Sequence, residues 1–417
     1  MTRLHLFFLP LLAVFFFLSA CDKEPEVIQE EYFPPPREQG GWRTNTSQDF
    51  VESLGLNYEV LQQLAKLSVL LPSSPIPGYD EHNHASFIFI KNGWIVGERY
   101  RRPESKTFQQ YLSSNGKSFA YVLFGVLMQK AKQGELQVKE LSEQDKLYNP
   151  LWFSHGYPLS DPRKADITFE QIFQHTSGLM PETDANGNKV EIGRYAWSNY
   201  GDWVVGHDPK FPRTGKLFFD PGHPEQWSGS ETWGKHQGAY SSIGFAHLGI
   251  AFRHISGHSA DNLLWYLLLE PLGFDGVSYH APPGLGYHRW MTAGGLQMTA
   301  RDYARFCWLL LKKGKWRDKQ LVAKRWIERT YLSPNYPNMR SNVDGWLGKE
   351  LPADTLRIFG SGGNFAYIIP SLELVALRCG RSSNALAEKF EEKFKRLLMQ
   401  IVHGETKGKK QPKEGTD

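Results

Sequence analysis

The chain has 417 residues, 41% of them hydrophobic and 22% charged, with 13 Trp, 18 Tyr and 26 Phe. That length suits two ordinary domains or one large domain with an insertion, and the composition excludes a disordered chain, a coiled coil and a collagen-like fibre. The net charge is only +4, part of it in the tail HGETKGKKQPKEGTD, so no basic field of nucleic-acid-binding strength exists and no nucleic-acid partner is expected.

At the N-terminus, Arg3 precedes a stretch without Asp, Glu, Lys or Arg from Leu6 to Ala20. The stretch is too short to span a bilayer comfortably but has the length of a secretory hydrophobic region. It ends in Leu18-Ser19-Ala20-Cys21, which resembles the lipobox of bacterial lipoproteins. The resemblance implies a signal peptide over 1–20, a lipidated Cys21 and a membrane anchor, to which each buried CH₂ contributes roughly 0.8 kcal/mol. The expected location is the bacterial cell envelope, facing the periplasm, and Asp22 after the cysteine points to inner-membrane retention by the same resemblance. Residues 21–45 include Pro34-Pro35-Pro36 and read as an extended tether. A single domain is expected over 46–402, followed by a disordered basic tail, 403–417.

Within the domain, a helical pattern over about 48–70 precedes Phe87–Ile90, Asn92-Gly93 and Trp94–Val96, a hairpin whose Asn-Gly supplies the positive φ angles of a type I′ turn. The middle, about 118–310, alternates helical patterns with long loops. Among these, the segment 180–238 holds four Trp and reads as the wall of a site. Strands follow at Leu356–Phe359, Phe365–Ile369 and Leu374–Cys379, and Ala385–Val402 closes the chain as an amphipathic helix. Strands at both ends with a helical middle predict an α/β fold of the α+β type. In it, an antiparallel sheet flanked by helices is closed by the two chain ends, with a mainly helical insertion at about 118–290. Three cysteines without C-x-x-C argue against a disulfide framework or a zinc site, and Cys307 and Cys379 read as buried free thiols. His82-Asn83-His84 follows Asp80-Glu81 but precedes a hairpin, so no metal is expected there. No phosphate loop or dinucleotide fingerprint occurs, and no cofactor is expected.

The chemistry centres on Ser113-Ser114-Asn115-Gly116-Lys117-Ser118, which leads into the apolar run Phe119–Phe124. At a helix start, positions i and i+3 share a face, so Lys117 reaches the Ser114 hydroxyl, and the positive end of the helix dipole favours an oxyanion there. Alone the spacing is weak, since a helix cap followed by a surface lysine gives the same letters. Four further segments follow in order: Ile167-Thr168-Phe169-Glu170-Gln171-Ile172-Phe173-Gln174-His175-Thr176-Ser177-Gly178-Leu179, Tyr240-Ser241-Ser242, Gly294-Gly295-Leu296-Gln297-Met298-Thr299, and Gly360-Ser361-Gly362-Gly363-Asn364. Together the five resemble the β-lactamase-related serine hydrolases, which include class C β-lactamases, D,D-peptidases, esterases and amide-oligomer hydrolases. The likeness runs from about 50 to 402. It implies a Ser114 nucleophile, with Lys117 and Tyr240 moving protons and either of them able to serve as base. His175 is expected to be a structural hydrogen-bonder. The backbone around Ser361, Gly362 and Gly363 is expected to help the Ser114 N–H hold the oxyanion, with Gly363 the first choice and the register open by one residue.

The departures from the family pattern narrow the substrate. Ser242 stands where the family has Asn, and it offers a shorter group than the amide. The third motif lacks its K-T-G lysine. The sequence's R-T-G, Arg213-Thr214-Gly215, comes in the wrong order, and Arg357 and Arg378 are untried substitutes for the missing cation. A carboxylate-bearing substrate is therefore held less well. The expected function is an envelope-anchored serine hydrolase acting on a small-molecule or peptide ester or amide through a Ser114 acyl-enzyme. The alternatives are a D,D-peptidase or β-lactamase-like enzyme on cell-wall peptides, or a catalytically silent lipoprotein that binds muropeptides or a partner.

Overall fold

The computed structural model describes residues 31–72, 83–153, 158–184, 186, 188, 216–279, 290–333, 336 and 338–403. The expected signal peptide, Cys21 and Asp22, the Asp80-Glu81-His82 part of the histidine cluster, Arg213-Thr214-Gly215 and the tail after His403 lie outside these residues, as does about half of the Trp-rich segment, chiefly 189–215.

The hairpin forms as expected. Strand β1 (Ser86–Lys91) and strand β2 (Trp94–Tyr100) are joined at Asn92 (φ 50°) and Gly93 (φ 77°), both left-handed as a type I′ turn requires. Strands β3 (Met339–Ser341), β4 (Leu356–Gly360), β5 (Asn364–Ile369) and β6 (Leu374–Cys379) complete one sheet in the order β3-β4-β5-β6-β1-β2, and every described pairing is antiparallel. The N-terminal hairpin thus pairs with the last strand, Ser86 opposite Cys379 through Lys91 opposite Leu374. The α/β architecture read from the sequence is the one observed.

Helices cover the sheet on both faces, which is why β1, β5 and β6 are apolar almost throughout rather than alternating. Helices α1 (Tyr58–Leu70) and α5 (Asn384–His403) pack on one face. Their Leu61, Leu64, Phe390 and Phe394 form a core with Phe87, Phe89, Phe365 and Tyr367. Helix α4 (Ala300–Leu311), capped by Thr299, covers the other face. Between them in sequence lie α2 (Gly116–Lys132) and α3 (Ser242–Ser256), both largely buried. Cys307 and Cys379 are buried free thiols, and burial raises both pKa values, that of Cys379 to about 12.

The segment expected to be an extended tether is docked over its last part. Arg305 donates to the carbonyls of Pro34 (2.9 Å) and Pro35 (2.6 Å), Trp42 is buried edge-on against Trp308, and Thr44 bridges to Ile95. Beyond the single 3₁₀ turn Arg37–Gln39, which Pro36 precedes, its described part forms no helix or strand, but its carbonyls and rings still find partners on the domain.

Candidate active site

Ser114 lies in a 3₁₀ turn, Ser113–Asn115, that runs directly into α2. The turn is wedged between two backbones. A Cβ on Gly116 would come within 2.7 Å of the Gly294 Cα, and one on Gly360 within 2.4 Å of the Leu112 carbonyl oxygen. Ser113 takes φ 51°, a left-handed conformation that non-glycine residues rarely adopt. The result is a half-buried Ser114 followed by buried Asn115, Gly116 and Lys117.

Lys117 points back along the first turn. Its Nζ is hydrogen-bonded to Ser114 Oγ (3.2 Å), Ser242 Oγ (3.0 Å) and the Ala293 carbonyl (2.9 Å), which occupies all three of its hydrogen-bonding positions. The same nitrogen lies 4.8 Å from the centre of the Tyr240 ring and 5.8 Å from that of Phe245. Ser242 in turn donates to Glu182 Oε1, and the Glu182 N–H donates to the Tyr240 carbonyl at 2.8 Å. A continuous chain of hydrogen bonds therefore runs from Ser114 through Lys117 and Ser242 to a carboxylate.

Tyr240, Ser241 and Ser242 are placed by the start of α3. Ser241 is its N-cap, accepting from Gly244 N–H (3.0 Å) and donating to the Met180 carbonyl (2.8 Å). The Ser241 N–H donates to Nδ1 of His175 at 2.9 Å. His175 is buried, left-handed (φ 58°) and stacked on the Tyr240 ring at 4.4 Å. Burial, then the charge of Lys117, pushes its pKa well below the usual histidine value, so the ring is neutral and supports the tyrosine as a wall. The short helix before it is capped by Thr168, which exchanges bonds with Gln171 in a capping box. The Tyr240 hydroxyl accepts from Asn338 Nδ2 at 3.2 Å, and the same amide nitrogen donates to the Phe359 carbonyl (3.2 Å).

The third motif is the tight connection between β4 and β5, where Gly360 opposes Asn364. Gly362 (φ 83°) and Gly363 (φ 76°) both need glycine's left-handed freedom. Their surroundings are not those of the nucleophile. The Gly362 N–H donates to Asn384 Oδ1 (3.1 Å), while buried Gly363 faces Arg378 and Ala387. Gly360 is the glycine against the Ser114 turn, and exposed Ser361 follows it. Gly363, the first choice as oxyanion donor, thus packs against Arg378 and Ala387, and Gly360 packs on the turn that carries Ser114. Neither proposed substitute cation reaches the site. Arg357 forms a two-pronged ion pair with Glu391 (2.6 and 2.6 Å), and Arg378 is buried on the carbonyls of Ser68 and Gly363.

A sequence profile described as Beta-lactamase matches residues 80–378, most of the chain. The chain belongs to the beta-lactamase family. Solved structures with the same fold include a putative beta-lactamase from Bacteroides dorei (16% identity, TM-score 0.59), which covers 83% of this chain and 99% of its own. A putative 6-aminohexanoate-dimer hydrolase from Bacillus anthracis is similar at 16% identity and TM-score 0.54, covering 76% of this chain and 79% of its own. So is a penicillin-binding protein homolog from Caulobacter crescentus, at 15% identity and TM-score 0.54, covering 86% of this chain and 97% of its own. No curated protein sequence matches this chain.

For this beta-lactamase-family chain, the structure brings Ser114, Lys117, Tyr240 and Ser242 into one cluster. It adds three groups that sequence reading missed: the Glu182 carboxylate, the Asn338 amide and the Ala293 carbonyl. Glu182 had no spacing signal, being 60 residues from the serine it meets. Asn338 belongs to none of the motifs and follows Pro334 and Pro337 in the sequence. The carbonyl had one indirect signal, the Gly294-Gly295 pair that lets α2 approach. Among the described residues no group of three or more His, Cys, Asp and Glu is arranged to hold a metal ion.

Proposed function

We propose that this beta-lactamase-family protein is an envelope-anchored hydrolase that cleaves neutral esters or amides through an acyl-enzyme on Ser114. The observation that carries the reading is the 3.2 Å hydrogen bond between Lys117 Nζ and a half-buried serine at the start of a buried helix. Ser114 Oγ attacks the carbonyl carbon as its proton passes to the lone pair of Lys117 Nζ, which acts as the neutral amine with its two N–H groups on Ser242 and the Ala293 carbonyl. The proton then leaves with the alcohol or amine as the acyl–O or acyl–N bond breaks, and water repeats the sequence on the acyl-enzyme to release the acid. Lys117 is favoured as the base because it contacts Ser114, whereas the Tyr240 hydroxyl is engaged by Asn338. Tyr240 supports the lysine with its ring and serves the leaving group.

The oxyanion is assigned to the N–H groups of Ser114 and Ser361. Along a strand, N–H groups point alternately to the two sides, and the Phe359 N–H donates away from β5, to the Asn338 carbonyl. Ser361 continues that parity beyond the last rung and follows the glycine packed against the nucleophile's turn. The lipobox-like Leu18-Ser19-Ala20-Cys21 supports anchoring through Cys21.

The test is peptide mapping of the chain from Asp22 onward after separate exposure to a fluorophosphonate and to penicillin, beside a Ser114→Ala control. A fluorophosphonate adduct on Ser114 without a penicillin adduct is the expected result. Adducts from both reagents would make a D,D-peptidase-like activity the better reading, and no adduct from either would favour a binding protein.

A further inference from the structure

We infer that Glu182 makes this site select against anionic acyl groups, so that its substrates carry a neutral or cationic acyl chain. The inference rests on the reading of Ser114 as nucleophile. Two observations on the charge of the cleft converge on it. The first is that Glu182, half-buried, is joined through Ser242 to Lys117 and so lies two hydrogen bonds from the nitrogen that touches Ser114. The acyl group stays bonded to Ser114 Oγ through the middle of the cycle. Its chain therefore sits within the field of this carboxylate while the enzyme is acylated.

The second observation is the commitment of the positive charges near the site among the described residues. Lys117 Nζ has its three hydrogen-bonding positions on Ser114, Ser242 and the Ala293 carbonyl. Arg357 and Arg378, the candidates for recognising a substrate carboxylate, are bound behind the sheet by Glu391 and by backbone carbonyls. Arg340, two residues beyond Asn338, is buried against Asp344 (3.2 Å) and the Trp346 ring. His175, beside Tyr240, is neutral. Asp184 adds a second carboxylate two residues along the segment that carries Glu182. Ser242 is the link that makes this possible. Its hydroxyl can accept from the lysine and donate to the carboxylate at once, which ties Glu182 to the reacting end of the cleft.

The experiment measures kcat/KM for three p-nitrophenyl esters of equal chain length: hexanoate (neutral), 6-aminohexanoate (cationic) and hydrogen adipate (anionic). Wild type is expected to prefer the cationic over the anionic ester by about tenfold or more, the size expected for unit charges roughly 10–12 Å apart across a half-buried cleft. Glu182→Gln should shrink that ratio towards one, while Glu182→Asp, which keeps the charge, should retain most of it. Because the ratio compares substrates on the same enzyme, a general loss of activity through Lys117 cancels. An unchanged ratio in Glu182→Gln, or equal collapse in Glu182→Asp, overturns the inference and leaves the nucleophile intact. A wild-type preference for the adipate overturns it without any variant. If Ser114→Ala still turns over all three esters, the underlying reading of the site fails instead.

Discussion

The Lys117 amino group is held at four points: Ser114, Ser242, the Ala293 carbonyl and the face of Tyr240. Its long side chain is thereby fixed before any substrate arrives, and preorganisation of this kind lowers the reorganisation needed at the moment of proton transfer. Lys117→Met should therefore cost at least about a thousandfold in kcat, with a much smaller change in KM. Tyr240→Phe keeps the ring against the lysine nitrogen and removes only the hydroxyl held by Asn338, so its loss should be nearer tenfold to a hundredfold. Steady-state kinetics on one neutral ester checks both variants. Equal losses would make Tyr240 a partner of Lys117 in the same proton transfer.

At the scale of elements, glycines set how closely the nucleophile's turn is gripped. Gly125 lies in the middle of α2, where Gly→Ala ordinarily stabilises a helix by about 0.5–1 kcal/mol. Here a Cβ would fall 2.2 Å from Trp326, a ring stacked on Tyr121 at 4.4 Å, so Gly125→Ala should destabilise by about 1–3 kcal/mol in urea unfolding. Gly360→Ala meets the Leu112 carbonyl and should displace Ser114, lowering turnover more than tenfold. These elements were readable in advance to different degrees. The hairpin, the α1 pattern and the closing helix were visible because turn chemistry and apolar periodicity are local. The register of the third motif stayed open in the sequence because Gly360, Gly362 and Gly363 look alike as letters, and their neighbours in space decide which one packs on the nucleophile's turn.

At the scale of the whole molecule, one sheet ties the chain's ends together, and several ionisable groups are buried as it closes. His175 and His247 both have pKa values pushed well below the usual histidine range, first by burial. Below about pH 6.5 the unfolded chain takes up these protons and the folded chain does not. Stability should therefore fall as pH drops, by about 1.4 kcal/mol per unit for each histidine. Lys164 works in another window. Burial lowers its pKa to about 8, so between about 8 and 9 the unfolded state holds the extra proton and Lys164 makes stability rise with pH; above about 9 the buried Cys307 and Cys379 thiols, which keep their protons only in the folded chain, reverse the slope. Urea unfolding across pH 5–9 checks the histidine and lysine slopes, and Lys164→Met should flatten the one between about 8 and 9. The sequence by itself determined the spacing of Ser114 and Lys117, the Thr168 and Ser241 caps, the Asn92-Gly93 turn and the antiparallel class, since each depends on residues a few positions apart or on a repeating pattern. Only the tertiary structure decided that Glu182 meets Ser242, that Asn338 holds the Tyr240 hydroxyl and that the Ala293 carbonyl anchors the lysine. Those partners lie 60, 98 and 176 residues apart. The path of the backbone through space, which no local preference encodes, brings them within hydrogen-bonding distance.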